Sequence, residues 1–456
     1  MTVRIFKIFS LLFVLLLNLS CKKDPPIETN SSLKVYDANL PEGHNINDNG
    51  FYFMDNCIDN PVDSNAFTKI FGFDNNCNEK FIKVYPTKDL ILNGADFFNI
   101  KVNKFFVHEK LVIVGNAYKN DTIYGFVTEF DQDNGLIIGY KTFKFGKIDD
   151  YFKPSPLDIK KTSYGYLIFH INYLLLNSNG VIEVKKTDDN FNLIEDKTMS
   201  LPSSVDLFST PIYQDNLNGY GYDYIGAIVT PNDDLVVSYW GTEVTFSPSY
   251  YVVNFGSDFN SNIIWAKKLI FDFDQYYSSV NKNELFWFNN KILLFTKNNF
   301  TPDNIAPDFH SSNPCLYSID PNSGTIDSKH EIFAYFPYSR LQDVEGDSTA
   351  ISPENLLSLN IFNEEQIIIS GHVNINNKNT AAMVEYDNNF IRSNSFILTS
   401  DANRPVTKFH FVGVTSENEL IGSGYTPKYI TGSSLDPNLS LNQLSVFVSK
   451  LGGNGF

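Results

Sequence analysis

The chain of 456 residues has few of the side chains from which metal and covalent sites are built: four cysteines and seven histidines. No C-x-x-C, H-x-x-x-H or H-E-x-x-H spacing occurs, so no metal site is predicted. G-x-S-x-G is missing, and the S-x-x-K match at Ser279 to Lys282 reads as accidental in a chain rich in serine and lysine. Basic residues are in deficit, 35 Lys and Arg against 52 Asp and Glu, a net charge of −17. Binding a polyanion needs a basic stripe that displaces counterions, so nucleic acid is not an expected partner. Methionine is scarce (4), whereas Phe (40) and Tyr (25) are abundant. That balance suits pleated, half-buried strands better than helices, and the fold class read from it is all-β.

At the N-terminus Arg4 and Lys7 precede an apolar run from about Ile8 to Leu19. The run is too short to cross a hydrocarbon layer about 30 Å thick as a helix, but it fits the core of a signal peptide over residues 1 to 20. The following "LNLSCKKDPP" resembles the lipobox of bacterial lipoproteins, with the small residue Ser20 before Cys21 and Asn18 where an apolar residue is usual. The resemblance implies lipidation of Cys21 as the first residue of the mature chain. With more than one acyl chain, at about 0.8 kcal/mol per buried CH₂, such an anchor is stable. Residues 21 to 33, polar and containing Pro25 and Pro26, then form a solvated tether. The N-terminus as a whole is similar to Bacteroidetes-type outer-membrane lipoproteins, which implies an outer-membrane location on the periplasmic face or the cell surface. An ordinary secretory signal, with no role for Cys21, is the alternative.

Beyond the tether one pattern recurs. "EFDQDNGLIIGYKTF" (129 to 143) is a strand, a turn of Asp, Asn and Gly, and a second strand; related hairpins lie at 70–85, 184–200, 252–271, 317–333 and 384–399, with a half-copy at 448–456. Asn, Asp and Gly tolerate positive φ and bond their own backbone, which closes tight hairpins. For the same reason "DQDNG" reads as a turn; an EF-hand needs a third ligand before the Gly and a later Glu. Between these units a second hairpin recurs at 105–118, 158–170, 227–240, 286–297, 359–372 and 411–425, with a degenerate copy at 45–56. The unit is thus four strands, returning about every 55 to 70 residues.

Four short strands at that period resemble the blades of bacterial β-propellers, in which radial closure removes exposed sheet edges. The resemblance implies a single propeller domain over 34–456 with seven blades of four antiparallel strands, six being the alternative. The N-terminal "SLKVYDAN" (32 to 39) is the candidate outer strand of the last blade. "NSNIIWAKKL" (260 to 269) is similar to the turn-then-Trp hairpin of quinoprotein and related propeller lipoproteins; the other copies lack the Trp, and no cofactor is expected. A pair of β-sandwiches is the competing architecture.

In a four-stranded blade the turns within the two hairpins share one face, and the remaining connections share the other. The long segments 201–226, 241–250, 298–314, 334–353 and 425–443 then all fall on the second face, where loops of that length are commonly functional. They and their borders carry Tyr213, Tyr220, Tyr222, Tyr224, Trp240, Glu243, Tyr250, His310, Arg340, Asp343, Glu345, Tyr425 and Tyr429. Aromatic rings with polar tips stack on sugars or clamp peptides, and interleaved carboxylates and amides bond hydroxyls, so a glycan or a protein is the expected partner. The alternative is a carbohydrate-active hydrolase or lyase that uses paired carboxylates among Glu243, Asp343, Glu345 and Asp347. The same geometry sets Cys57 and Cys77 at opposite ends of a strand, about 17 Å apart, too far for a disulfide, which needs Cα atoms within about 7 Å. Cys315 is expected to be buried and unpaired.

Overall fold

A computed structural model describes residues 34–36, 41–57, 67–147, 152–154, 157–174, 181–201, 224–242, 248–259, 263–269, 284–297, 314–331, 356–362, 366–375, 378–397, 408–414, 420–427 and 444–451, some strand residues by backbone alone. These residues form seven antiparallel sheets. The first is β2 (Pro41–Asn47), β3 (Gly50–Cys57), β4 (Phe67–Phe73) and β5 (Glu79–Pro86); the second is β6 (Phe98–Val107), β7 (Leu111–Lys119), β8 (Thr122–Phe130) and β9 (Ile137–Lys147). In the third, a broken inner strand, β10 (Phe152–Pro154) and β11 (Asp158–Thr162), pairs with β12 (Gly165–Leu174), followed by β13 (Val181–Thr187) and β14 (Leu193–Ser200). The fourth holds β15 (Tyr224–Val229), β16 (Leu235–Thr242), β17 (Pro248–Asn254) and β18 (Trp265–Leu269). The fifth holds β19 (Glu284–Phe288), β20 (Lys291–Lys297), β21 (Pro314–Ile319) and β22 (Ile326–Glu331), and the sixth β23 (Leu356–Phe362), β24 (Gln366–Ile375), β25 (Lys378–Asp387) and β26 (Arg392–Ile397). The seventh takes β27 (Lys408–Val414), β28 (Leu420–Pro427) and β29 (Leu444–Leu451) from the end of the chain and β1 (Lys34–Tyr36) from its start. Each recurring hairpin of the sequence is a strand pair here, and the N-terminal strand completes the last sheet.

Strand periodicity explains how the sheets pack. In β7, Leu111 and Ile113 point to the first sheet, joining Tyr52, Met54, Ile70 and Phe81. Their neighbours Val112 and Val114 point to the third sheet, joining Ile159, Tyr166, Ile168 and Phe191. Successive side chains on a strand leave opposite faces, so an unbroken apolar strand serves two cores. Further cores lie between sheets three and four around Phe169, Val184, Val237 and Val253, and between four and five around Val236, Trp265, Leu294 and Ile319. A further one sets Phe51, Phe53, Phe71 and Phe73 of sheet one against Ile421 of sheet seven. Sheets one to four are thus covered on both faces, which the sandwich alternative does not provide. The inner strands also touch in sequence: β2 with β6, β6 with β11, β11 with β15, β15 with β19, β19 with β23, β23 with β27, and β27 with β2.

The connection from β5 to β6 holds two 3₁₀ turns, Thr87–Leu90 and Gly94–Asp96. Leu90 and Ile91 are buried between sheets one and two, and the Thr128 hydroxyl donates to the Leu90 carbonyl. Cys77 is buried and keeps its thiol. It lies in the β4–β5 turn, whereas Cys57 ends β3 at the opposite edge, opposite Phe67, so the register expected from the sequence holds. The side chain of Cys315 lies outside the described residues.

Candidate functional site

The two edges of the sheets differ. At one edge, strands are joined inside each hairpin by turns that the backbone satisfies itself. Asp74, Asp131, Asp188, Asp320 and Asp387 each end a strand and turn Oδ1 back to accept N–H groups two and three or four residues on. For Asp131 these come from Asp133 at 2.9 Å and Asn134 at 3.0 Å; for Asp387 from Asn389 and Ile391, both at 2.8 Å. "DQDNG" is therefore a turn: Asp131 is engaged by the backbone and Asp133 pairs with Lys80 at 2.7 Å. Among the described residues no group of three metal-ligating side chains converges.

The left-handed residue of these turns differs from the expectation in part. It is Gly135 (φ +69°) and Gly324 (φ +69°) in two of them, but Cys77, Phe191 and Phe390 in three others, and Phe259 in the β17–β18 hairpin. The reason is packing: Phe191 is 1% exposed and stacks on Tyr166 at 4.6 Å, so burial offsets a backbone cost of order 1 kcal/mol.

The turns also bond one sheet to the next. The Gln132 side chain accepts from Asn49 Nδ2 at 2.8 Å and donates to the Glu109 carbonyl at 3.0 Å, tying sheets one and two. Lys110 Nζ donates to the Asp189 carbonyl at 2.6 Å, tying two and three. The Ser163 hydroxyl donates to Asp233, tying three and four. Trp265 Nε1 donates to the Pro321 carbonyl at 2.7 Å, tying four and five, and Phe390 stacks on His330 at 4.0 Å, tying five and six. Burial holds the His330 imidazole below its ordinary range. This turn edge is occupied by its own structure.

Between the described strands, every connection longer than ten residues joins strand ends at the other edge: 87–97, 201–223, 270–283, 298–313, 332–355 and 428–443. Of the nominated residues, Tyr213, Tyr220, Tyr222, Glu243, His310, Arg340, Asp343, Glu345 and Tyr429 lie outside the described residues, as does Asp347. The other four are placed by backbone, all in strands: Trp240 and Tyr425 end the hairpins read from the sequence, whereas Tyr224 and Tyr250 fall in segments expected to be loops. Tyr224 opens β15 opposite Tyr239, Trp240 of β16 stands opposite Tyr250 of β17, and Tyr425 of β28 stands opposite Val446. The aromatic, β-preferring residues around 240 and 250 lengthen the ladder, so the 241–250 loop contracts to 243–247. Segment 270–283, with its "FDFDQYY", carries the same mixture of rings and carboxylates.

Sequence reading also missed charged pairs inside the sheets, because partners on neighbouring strands leave no spacing signal. His170 and Glu183 stand opposite each other on β12 and β13. Nε2 and Oε1 are 3.5 Å apart, and the Phe145 ring of sheet two meets the imidazole edge-on at 4.6 Å. Burial alone raises the Glu183 carboxyl, but the hydrogen bond from His170 and the charges of His170 and Lys185 hold it below the usual range. On the inner strands Lys104 and Lys160 flank the buried Asp158. Both groups lie between packed sheets. Shallow hollows occur among the described residues. One of about 400 Å³ is lined by Asp89, Leu92, Asn93 and Tyr140, and one of about 310 Å³ by Lys141, Lys144, Lys185 and Asp196; each holds a single carboxylate.

No protein-family model matches the chain, and no curated protein matches it. Solved structures similar to it include a variant of the Synechocystis apocarotenoid oxygenase, at 11% identity and TM-score 0.41 over 93% of this chain and 94% of that one. Drosophila semaphorin 2a is similar at 10% identity and TM-score 0.41, over 77% and 73%. Trypanosoma rangeli sialidase is similar at 10% identity and TM-score 0.37, over 92% and 59%. Scores of this size carry nothing over to this chain about ligand or activity.

Proposed function

We propose that the chain is an exported lipoprotein, anchored through acyl groups on Cys21, whose seven sheets are the blades of a β-propeller that binds a glycan or a protein through its loop edge. The propeller reading is supported by the succession of inner-strand contacts, which returns from β27 to β2, and by the N-terminal strand completing the seventh sheet. The observation that carries the binding reading is the division of labour between the edges: all connections longer than ten residues gather at one, while the other is consumed by Asx turns and bonds between sheets. Long connections rich in Tyr and Trp between carboxylates suit recognition of hydroxyl-bearing or peptide surfaces.

The test is binding of the chain lacking residues 1–21 to a glycan array and to proteins of the outer cell surface. Tyr222→Ala and Trp240→Ala each reduce affinity tenfold or more, about 1.4 kcal/mol, with the thermal midpoint unchanged for Tyr222→Ala. Affinity indifferent to both substitutions removes the loop edge as the binding surface. Turnover of a bound glycan, abolished by Glu243→Gln, replaces the binding reading by the hydrolase or lyase one.

A further inference from the structure

The gap between the outer strands of sheets two and three is a basic groove in an acidic molecule. β9 is the last strand of its sheet, and among the described residues no strand pairs with its outer edge. The hollow of about 310 Å³ is lined by four consecutive residues of β9, 141–144, and by Lys185, Leu193 and Asp196 of sheet three. Successive side chains of a strand point to opposite faces, so a hollow that meets four residues in a row meets the backbone edge of the strand. The lining carries three lysines and one carboxylate, in a chain of net charge −17. The side chain of Lys185 is 4% exposed, bonded to Asp196 and set 4.8 Å over the Phe145 ring. Lys141 donates to the amide oxygen of Asn192 at 2.8 Å. Asp188 is near enough to feel the charge of Lys141, but its oxygens are taken by donors of its own turn. Lys144 is exposed and meets no partner among the described residues.

We propose that this groove is a binding site apart from the loop edge, and that it takes an extended acidic peptide segment as an added strand on β9. The unpaired edge of an outer strand presents N–H and C=O groups at alternate residues, which another peptide backbone can pair in register. A strand added there lies beside sheet three, and carboxylates on it meet Lys141, Lys144 and Lys185, which supplies charge complementarity. The four residues of β9 that line the hollow run about 13 Å, so a ligand segment of similar length engages them. Nearer the turn edge, the starts of the same two outer strands carry Leu136, Ile138, Leu193 and Ile194, each 51% to 64% exposed. Apolar residues of the ligand are therefore expected to alternate with its acidic ones. Lysines on an outer strand oppose edge-to-edge pairing between copies of one chain, so the occupant is an acidic partner and not a second copy.

Fluorescence anisotropy of a dye-labelled octapeptide of alternating Val and Glu, titrated with the full-length chain, tests this. Saturable binding is expected, and it should weaken as salt is raised. The counterpart with Lys for Glu is expected to bind at least tenfold more weakly. So is the Val/Glu peptide with every backbone nitrogen methylated, which keeps the carboxylates and removes the donors. The double variant Lys141→Gln, Lys144→Glu should lower affinity tenfold or more with the thermal midpoint unchanged. No saturable binding, or binding indifferent to the double variant, overturns the site. Equal affinity for the methylated peptide overturns the added strand, since ion attraction alone then accounts for binding. Displacement of the labelled peptide by oligogalacturonate at a lower concentration than by unlabelled peptide overturns the peptide as the occupant.

Discussion

Gly135 shows how one residue binds two sheets. It takes φ +69° in the β8–β9 turn, accepts the Tyr85 hydroxyl on its carbonyl at 2.6 Å, and lies so close to sheet one that an added Cβ would meet the Phe81 ring at 2.5 Å. Gly324 repeats the arrangement over Trp265, at 2.4 Å. Gly135→Ala is expected to destabilise by about 1 to 3 kcal/mol, through the left-handed backbone and the displaced ring together, as read in a urea titration. Glu183 sets a pH dependence. Its folded-state carboxyl lies below the ordinary value, so its contribution is present above that value and is lost as pH falls through the folded one. Glu183→Gln should lower stability by about 1 to 3 kcal/mol near neutrality and flatten the loss of stability on acidification below about pH 5; an unchanged acid limb would show that the pair carries none of it.

At the scale of the element, the Asx turn is the repeating device. Asp387 accepts the N–H groups of Asn389 and Ile391, so Asp387→Ala is expected to cost about 1 kcal/mol, the usual loss for an orphaned pair of donors at a chain reversal. Asp387→Asn, which keeps an acceptor oxygen, should be close to silent; chemical denaturation of both variants tells geometry from charge. Each such turn was legible because its aspartate ends an alternating strand and its neighbours favour positive φ. That Phe191, Phe259 and Phe390 would take the left-handed position was not, because the stabilisation comes from a neighbouring sheet that local sequence does not specify. The strand assignment of Tyr250 was hidden for a similar reason, since pairing with β16 extends β17 into a segment whose local sequence reads as a loop.

For the whole molecule, the joining of the chain's two ends is the critical contact. β1 covers the outer edge of β29, and an uncovered edge offers unpaired N–H and C=O groups to other chains. Starting the chain at Pro41 should lower the thermal midpoint by several degrees, on the basis of about 1 kcal/mol for each few degrees in a domain this large, and should raise concentration-dependent association in sedimentation. A truncated chain with an unchanged midpoint would show that the seventh sheet does not need its fourth strand.

The sequence by itself determined what depends on neighbours along the chain: the all-β class and the hairpins with their turns, since side-chain alternation and turn chemistry act over a few residues. Only the tertiary structure decided what depends on neighbours in space. It set which sheet covers which face of β7, that His170 meets Glu183, that Phe takes the left-handed position in some of the turns, and that β1 pairs with β29. Those outcomes follow from pairing and packing across strands rather than along them, where burial outweighs local preference.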